Sequence, residues 1–483
     1  MQETPRLFQD TAPYLRELID IPQVPLLSRS TNSLCMLGSC FTWHLHNEAL
    51  RGLGINSLFQ WRTGFHFSTE SLSNLLQRIA QETPHGEDDL YHYPDEIGGF
   101  RPFRYYFNQR FPVEQKEAVL AQLASLDAQC VASIRNCSTL LLVTGTPRVV
   151  RLKKNGQCVT VTAKMPAADY EHKRNSAEEE AGHLERFVAA VRQIRGGHLP
   201  TMVFMLSPMR YMFHPLCAET FDGGREQRER LGSPYVEDNL GKAILRVGLQ
   251  TFLDKHTDEG FHYFPGYEVV MDEMRSHEAF CGSHAEVPHF PHVSHYVAKR
   301  FLGTYVAPKL VGQIESAATL NLLCQDIQAT QMPGQVRILL ENFVTNLLPR
   351  IVEQIGGDMP NAALLRAVLL LLGSATQHAP EQALACLQTL RQAVAQWPTV
   401  AIWGTGGNYQ SVFSQTVQAF KEEMDFVLTD GNPASWGQTI DGIKVISPES
   451  LAERAVNFVL IASYHHDDIH ARIRELGIPA SVA

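Results

Sequence analysis

Apolar residues crowd into short runs that end on small polar residues. The run SLCMLG (33–38) is one, TLLLVTG (139–145) a second and TMVFMLS (201–207) a third. Each is short enough for a buried strand and too short for a helix of ordinary length. Between them the apolar positions recur at helical spacing, as in 70–81 and 113–128. Strands alternating with helices predict a parallel sheet covered on both faces, a three-layer α/β/α arrangement. Ligands of such sheets collect at the carboxyl ends of the strands, where Ser39, Gly145 and Ser207 fall. Two polar stretches, 171–187 as a charged helix start and 221–235 as a loop, read as solvated surface.

The pattern changes between about 305 and 395. There the periodicity is helical throughout, interrupted at Pro333, Gly356, Gly357, Pro360 and Pro380. After Pro398 strands and helices alternate again: TVAIWGTGGNYQSVF, MDFVLTDGNP, IDGIKVISPESL and NFVLIASYHHDDI make a compact α/β unit of about four strands. The expected division is an α/β domain over 1–304, a helical connector over 305–395 and a small α/β domain over 396–483.

Composition narrows the function. Of 483 residues, 44% are hydrophobic and 19% charged, as in a globular protein with a sizeable core. A net charge of −10 and the absence of a basic stripe argue against a nucleic-acid partner. The longest apolar run, AVLLLLG (367–373), is far below a membrane span, and the first residues lack the basic and apolar regions of a secretory signal. Nine scattered cysteines without a CxxC pair read as reduced thiols. The expected location is the cytoplasm.

Ser39, following Gly38 at the end of a strand, carries the first candidate chemistry. A hydroxyl there is displayed at the sheet edge, with backbone N–H groups of the following helix start nearby to stabilise an oxyanion. The competing reading is a helix cap. Cys40 is the rival nucleophile, expected to point toward the core. A serine nucleophile needs a base and an orienting acid. In AEVPHFPHVSHYVAKRFLG (285–303), Glu286 and His289 are three apart, and His292 and His295 are further candidates for the base. The same histidines with His284 and Cys281 suggest zinc only weakly, because Pro288 and Pro291 break the helix that their spacing would need, so no metal is expected. Arg210 at a strand end and Tyr267 and Glu268 in FPGYEVVMDEMR are candidates for substrate contact. FRPFRYYFNQRF (100–111) could stack on a sugar or form an amphipathic edge strand.

The ordered segments LGSCF, SLFQWRTGFHFSTESLSNLL, LLLVTGTP, VFMLSPMRY, YFPGYEVVMDEMR and a histidine loop before a helix resemble the GSCFA family, part of the SGNH (GDSL-like) hydrolase superfamily, over about residues 30–303. The resemblance implies a flavodoxin-like sheet with Ser39 as nucleophile, His289 as base and Glu286 as acid. It also implies that Ser39, Gly64, Gly145 and Thr146 line the oxyanion site. Thr146 stands where the superfamily usually has Asn, Glu286 where it has Asp, and Phe290 where proline follows the base. The expected function is a serine-dependent esterase or O-acyltransferase acting on an acyl ester, in first place acetyl, of a saccharide or sugar-linked substrate in polysaccharide biosynthesis. The alternative is a non-catalytic carbohydrate- or nucleotide-binding protein that keeps the fold.

In the last unit, Gly404, Gly406 and Gly407 follow a strand, and Asp430 ends the next one, where an acid often meets a ribose hydroxyl. Tyr409 occupies the place of the final glycine of a full dinucleotide fingerprint. The stretch from 430 to 451 resembles nucleotide-binding domains of sugar-modifying enzymes. Hydrolysis itself requires no cofactor; a nucleotide or nucleotide-sugar is the expected ligand of this Rossmann-like unit, which could instead serve packing or assembly into a homo-oligomer.

Overall fold

The computed structural model describes residues 19–482, apart from 30–31, 51–52, 60, 108, 161, 163–164, 211–233, 275–291, 330–331 and 479. The three apolar runs form strands Ser33–Gly38, Thr139–Thr144 and Thr201–Leu206. With Asn56–Leu58 and His262–Phe264 they make a five-stranded sheet, parallel at every pairing. Numbered along the chain, the spatial order is 2-1-3-4-5, so the winding direction reverses between 33–38 and 139–144. In doubly wound sheets such a reversal is where ligands bind, outside the carboxyl ends of the two strands.

The strands are apolar on both faces because both are covered. Cys35, Leu37, Leu140, Leu142, Met202 and Phe204 join one core with the helices Thr69–Ala80, Lys116–Asn136 and Ala177–Ile194. Leu34, Met36, Leu141, Val143, Val203 and Met205 point the other way, against the helix His292–Tyr305. The period-2 alternation of one strand therefore feeds two separate cores.

Two local expectations change. The charged stretch at 171 begins as a strand, Tyr170–Arg174, paired antiparallel with Arg148–Leu152. The helix starts only at Ala177, fixed by a capping box between Ser176 and Glu179. In 100–111 the aromatic rings of Phe100, Phe103, Tyr105, Phe107 and Phe111 are buried, as is Arg101. Arg104 pairs with Asp89 at 2.9 Å and Arg110 with Asp95 at 2.6 Å. This stretch spends its rings and charges on its own packing.

The second half begins with the helices Pro308–Ala329, Pro333–Asn342, Leu348–Ile355, Ala362–Ala375 and Pro380–Gln392. Pro333 and Pro380 sit in first turns and Gly356 ends a helix in the left-handed region, as their chemistry dictates. Strands Val400–Trp403, Phe426–Thr429, Ile443–Ile446 and Phe458–Ile461 follow, with short additions at Thr439–Ile440 and Ser481–Val482. The five parallel strands run 3-2-1-4-5, with 439–440 antiparallel at the edge. One continuous core links Leu320, Leu369 and Leu387 of the helices to Val400, Leu428 and Leu460 of the strands. Among the described residues no helix is long and apolar enough to cross a membrane.

The two halves meet around the edge strand 56–58. Asn361 caps the helix 362–375 with its side-chain oxygen and donates its amide to the Gly54 carbonyl at 2.9 Å. Arg474, on the helix His466–Glu475, donates to the Phe59 carbonyl at 3.0 Å.

Candidate active site

Gly38 is forced by its neighbour. Its φ is +125°, and an added Cβ would lie 2.0 Å from the Val143 carbonyl oxygen. Glycine therefore lets the first and third strands close together just where the chain must turn. The turn is then held on each side. His66 N–H donates to the Gly38 carbonyl at 2.6 Å, Ser39 N–H to the Val143 carbonyl at 2.9 Å, and Thr42 Oγ1 to the Ser39 carbonyl at 2.6 Å.

Ser39 is fully buried, yet its hydroxyl has no hydrogen-bond partner among the described residues. It does not cap the following helix, Phe41–His44, whose first turn has no side-chain cap. Burying an unpaired hydroxyl is costly.

Lysine supplies an unexpected charge at the same sheet edge. Lys242, only 3% exposed, donates from Nζ to the carbonyls of Gly145 at 2.8 Å and Ser207 at 2.9 Å. Burial pulls its pKa down to about 8, against the charges of Asp238 and Cys40, which favour the ammonium form. The Tyr267 ring lies 5.7 Å away. Burial raises the Tyr267 pKa, Asp238 adds to the rise and Arg210 opposes it, so these side chains share one electrostatic environment. Arg210 also approaches the Met271 sulfur at 3.8 Å. Cys40 is half-buried and packs at the margin of the core beneath the turn.

In the second half a cavity of about 1050 Å³ opens at the carboxyl ends of 400–403 and 458–461, where the strand order reverses. The glycine turn at 404–407, Asp430, Trp436 and Tyr464 line it. Gly404 repeats the device of Gly38: φ is +107°, and a Cβ would meet the Ala462 carbonyl oxygen at 2.8 Å. Asp430 Oδ2 accepts from Thr405 N–H at 2.7 Å and from its hydroxyl at 2.6 Å, so this acid ties the turn together.

The GSCFA family model matches residues 33–301, more than half of the chain. The chain belongs to the GSCFA family. A second model, described as C2185-like, N-terminal, matches residues 398–482. No curated protein and no solved structure matches the chain.

The structure of this GSCFA protein gathers Ser39, Gly145, Arg210 and Tyr267 at one end of the sheet. Glu286 and His289 lie outside the described residues, as do His284 and Cys281. His292 opens the helix 292–305, and His295 is half-buried one turn along it. Glu268 turns elsewhere: both its oxygens accept from Tyr263 Oη at 2.7 Å. Three of the four backbone donors expected at an oxyanion are occupied. Ser39 N–H serves Val143, and the N–H groups of Gly145 and Thr146 both serve the Phe67 carbonyl, at 3.1 and 2.9 Å. Any oxyanion held by these three would have to displace a carbonyl. Gly64 is buried, with Leu37 and Phe59 side chains 3.3 and 3.4 Å from where its Cβ would stand.

Sequence reasoning missed Lys242 and His66. Lys242 lies on the apolar stripe of Leu245, Leu249 and Phe252, with Asp238 one turn earlier; two charges on a buried stripe were the available signal. His66 follows the glycine segment, and its Nδ1 lies 2.8 Å from Ser71 Oγ. Burial pulls its pKa down to about 3, offset in part by a hydrogen bond to the Thr63 backbone. Its folded pKa is depressed, so the unfolded chain binds the extra proton. The folded state therefore loses stability as pH falls from about 6.5 towards 3, by on the order of 4 kcal/mol at the acid end. Urea denaturation of wild type and His66→Gln at successive pH values should show the smaller acid slope in the variant.

Proposed function

We propose that this protein is a serine-dependent acyl-transfer enzyme, an esterase or O-acyltransferase of the SGNH type. The observation that carries the reading is the buried Ser39 hydroxyl, without a hydrogen-bond partner among the described residues, at the switch point of a sheet ordered 2-1-3-4-5. That order is the flavodoxin-like one, and its switch point is where ligands of such sheets bind. Family membership adds support for hydrolase-like chemistry.

In this reading Ser39 Oγ attacks the ester carbonyl carbon, and the carbonyl π pair moves to oxygen. The hydroxyl proton passes to an imidazole, which the resemblance assigns to His289 with Glu286 orienting it. Collapse of the tetrahedral centre expels the alcohol, which takes that proton, and leaves an acyl-serine. Water as the second nucleophile gives an esterase; a sugar hydroxyl gives an O-acyltransferase. Arg210 and Tyr267, brought to the same edge, suit contact with an oxygen-rich substrate such as an acetylated saccharide. A fluorophosphonate probe with mass mapping of the labelled peptide tests the assignment. Label on Ser39 is expected; a protein that hydrolyses acetyl esters with label elsewhere, or with none, refutes it.

A second reading concerns the C-terminal cavity, and it is favoured by two large aromatic side chains at its wall, Trp436, 40% exposed, and Tyr464, 87% exposed. The strand order 3-2-1-4-5 is that of Rossmann-like units, and the cavity sits at their usual ligand position. A nucleotide or nucleotide-sugar would stack its base on these rings, with Gly404, Gly406 and Gly407 beside its phosphates and Asp430 near a sugar hydroxyl. Calorimetry with uridine and adenosine diphosphates should show binding that Trp436→Ala weakens by about tenfold, the worth of one stacking contact. Equal affinity in the variant counts against the reading.

A further inference from the structure

Lys242 is a buried charge that the scheme above leaves unused. Its helix, Pro234–Lys255, packs closely through two glycines seven apart, one on the turn after strand 139–144 and one on the start of the helix 177–194. A Cβ on Gly241 would meet Pro147 at 3.2 Å, and one on Gly248 would meet the Ala177 carbonyl at 2.7 Å. The close approach drives Nζ under the ends of two strands, onto the Gly145 and Ser207 carbonyls. Neutral donors could tie those carbonyls without the cost of burying an ammonium. The charge is set beside the Ser39–Cys40 turn, where the N–H groups of Ser39, Gly145 and Thr146 are already committed to carbonyls.

We propose that Lys242 is a positioning residue of the acyl-transfer site: its ammonium fixes the ends of strands 139–144 and 201–206 and supplies the positive field that stabilises negative charge developing at the Ser39 centre. This rests on the reading of Ser39 as nucleophile. It assigns to a fixed charge the work that free N–H groups would otherwise do. No proton leaves Lys242 in the cycle. Among the described residues, the titratable and charged groups around it include Asp238 on its own helix, Cys40 on the serine turn and Tyr267 on the short helix Gly266–Glu268, with Arg210 beyond Tyr267; the two strands present carbonyls.

The sign of the pH dependence follows. The ammonium persists below about 8 and is lost above it, so the field and the rate fall together on the alkaline side. The test is p-nitrophenyl acetate hydrolysis by the full chain across about pH 6 to 9.5, for wild type, Lys242→Arg and Lys242→Met, with thermal melts and fluorophosphonate labelling alongside. Wild-type kcat should decline above about pH 8. Lys242→Arg, which stays charged, should lose that decline and keep activity. Lys242→Met should lose about 10- to 100-fold in kcat at neutral pH with little change in KM, and show no decline of its own. A Met variant with the wild-type rate and the wild-type decline overturns the inference. If the Met variant does not fold, the Arg variant decides, and an unaltered decline there overturns it equally. A wild-type protein that neither turns over nor takes label defeats the serine reading, and this inference with it, before any variant is compared.

Discussion

Ser39→Ala is expected to abolish acetyl-ester turnover, by roughly 10⁴-fold or more, while leaving the fold as stable as before or slightly more so. The two halves of this expectation have one cause. Ser39 Oγ makes no hydrogen bond among the described residues, so its removal breaks none of the bonds seen there and takes away a hydroxyl that is costly to bury. A capping serine would behave oppositely, costing about 1 kcal/mol without touching catalysis. Urea denaturation beside a turnover assay separates the two. Lost stability with retained activity would return Ser39 to a structural role.

Gly38→Ala should be far more damaging to the fold. The new methyl would stand 2.0 Å from the Val143 carbonyl oxygen and 2.8 Å from its carbon, at a φ of +125° that alanine rarely adopts. Relief requires parting the first and third strands at the register pair Gly38–Val143, which also breaks the Ser39 N–H bond to Val143. A loss on the order of 4–5 kcal/mol is expected, enough to unfold much of a marginally stable chain. Gly303→Ala is the control. That glycine lies in the helix 292–305 with nothing within 4 Å of its Cβ position, so alanine should stabilise by up to about 1 kcal/mol. Denaturation midpoints of the two variants should move in opposite directions.

The central strands were legible because burial on both faces leaves nothing but apolar residues, as Leu34 to Leu37 and Leu140 to Val143 show. Helix boundaries at Pro333, Gly356 and Pro380 were equally plain, since those residues act through local backbone chemistry. Tyr170–Arg174 was misread as helix because its charges run straight into the genuine helix start at Ser176. Gly38 before the serine was plain in the sequence, but not the contact that requires it, which is with a carbonyl about a hundred residues away. Contacts of that kind are made by the fold, and spacing along the chain does not encode them. Lys242 belongs to the same class: its charge on an apolar stripe was a local signal that went unread, and the two carbonyls that receive it leave no signal in the sequence at all. Asp430 reads locally as a ribose ligand, and only the folded turn reveals its bonds to Thr405.

The grip of Asn361 and Arg474 on the carbonyls flanking 56–58 has a bearing on how the protein avoids self-association. That strand is the outermost of its sheet, the position from which proteins recruit foreign strands and aggregate. The two side chains that hold its flanks lie more than 300 residues further along the chain. The C-terminal half thus braces both ends of an exposed sheet border, and a chain shortened to its GSCFA portion is expected to associate more readily than the full one.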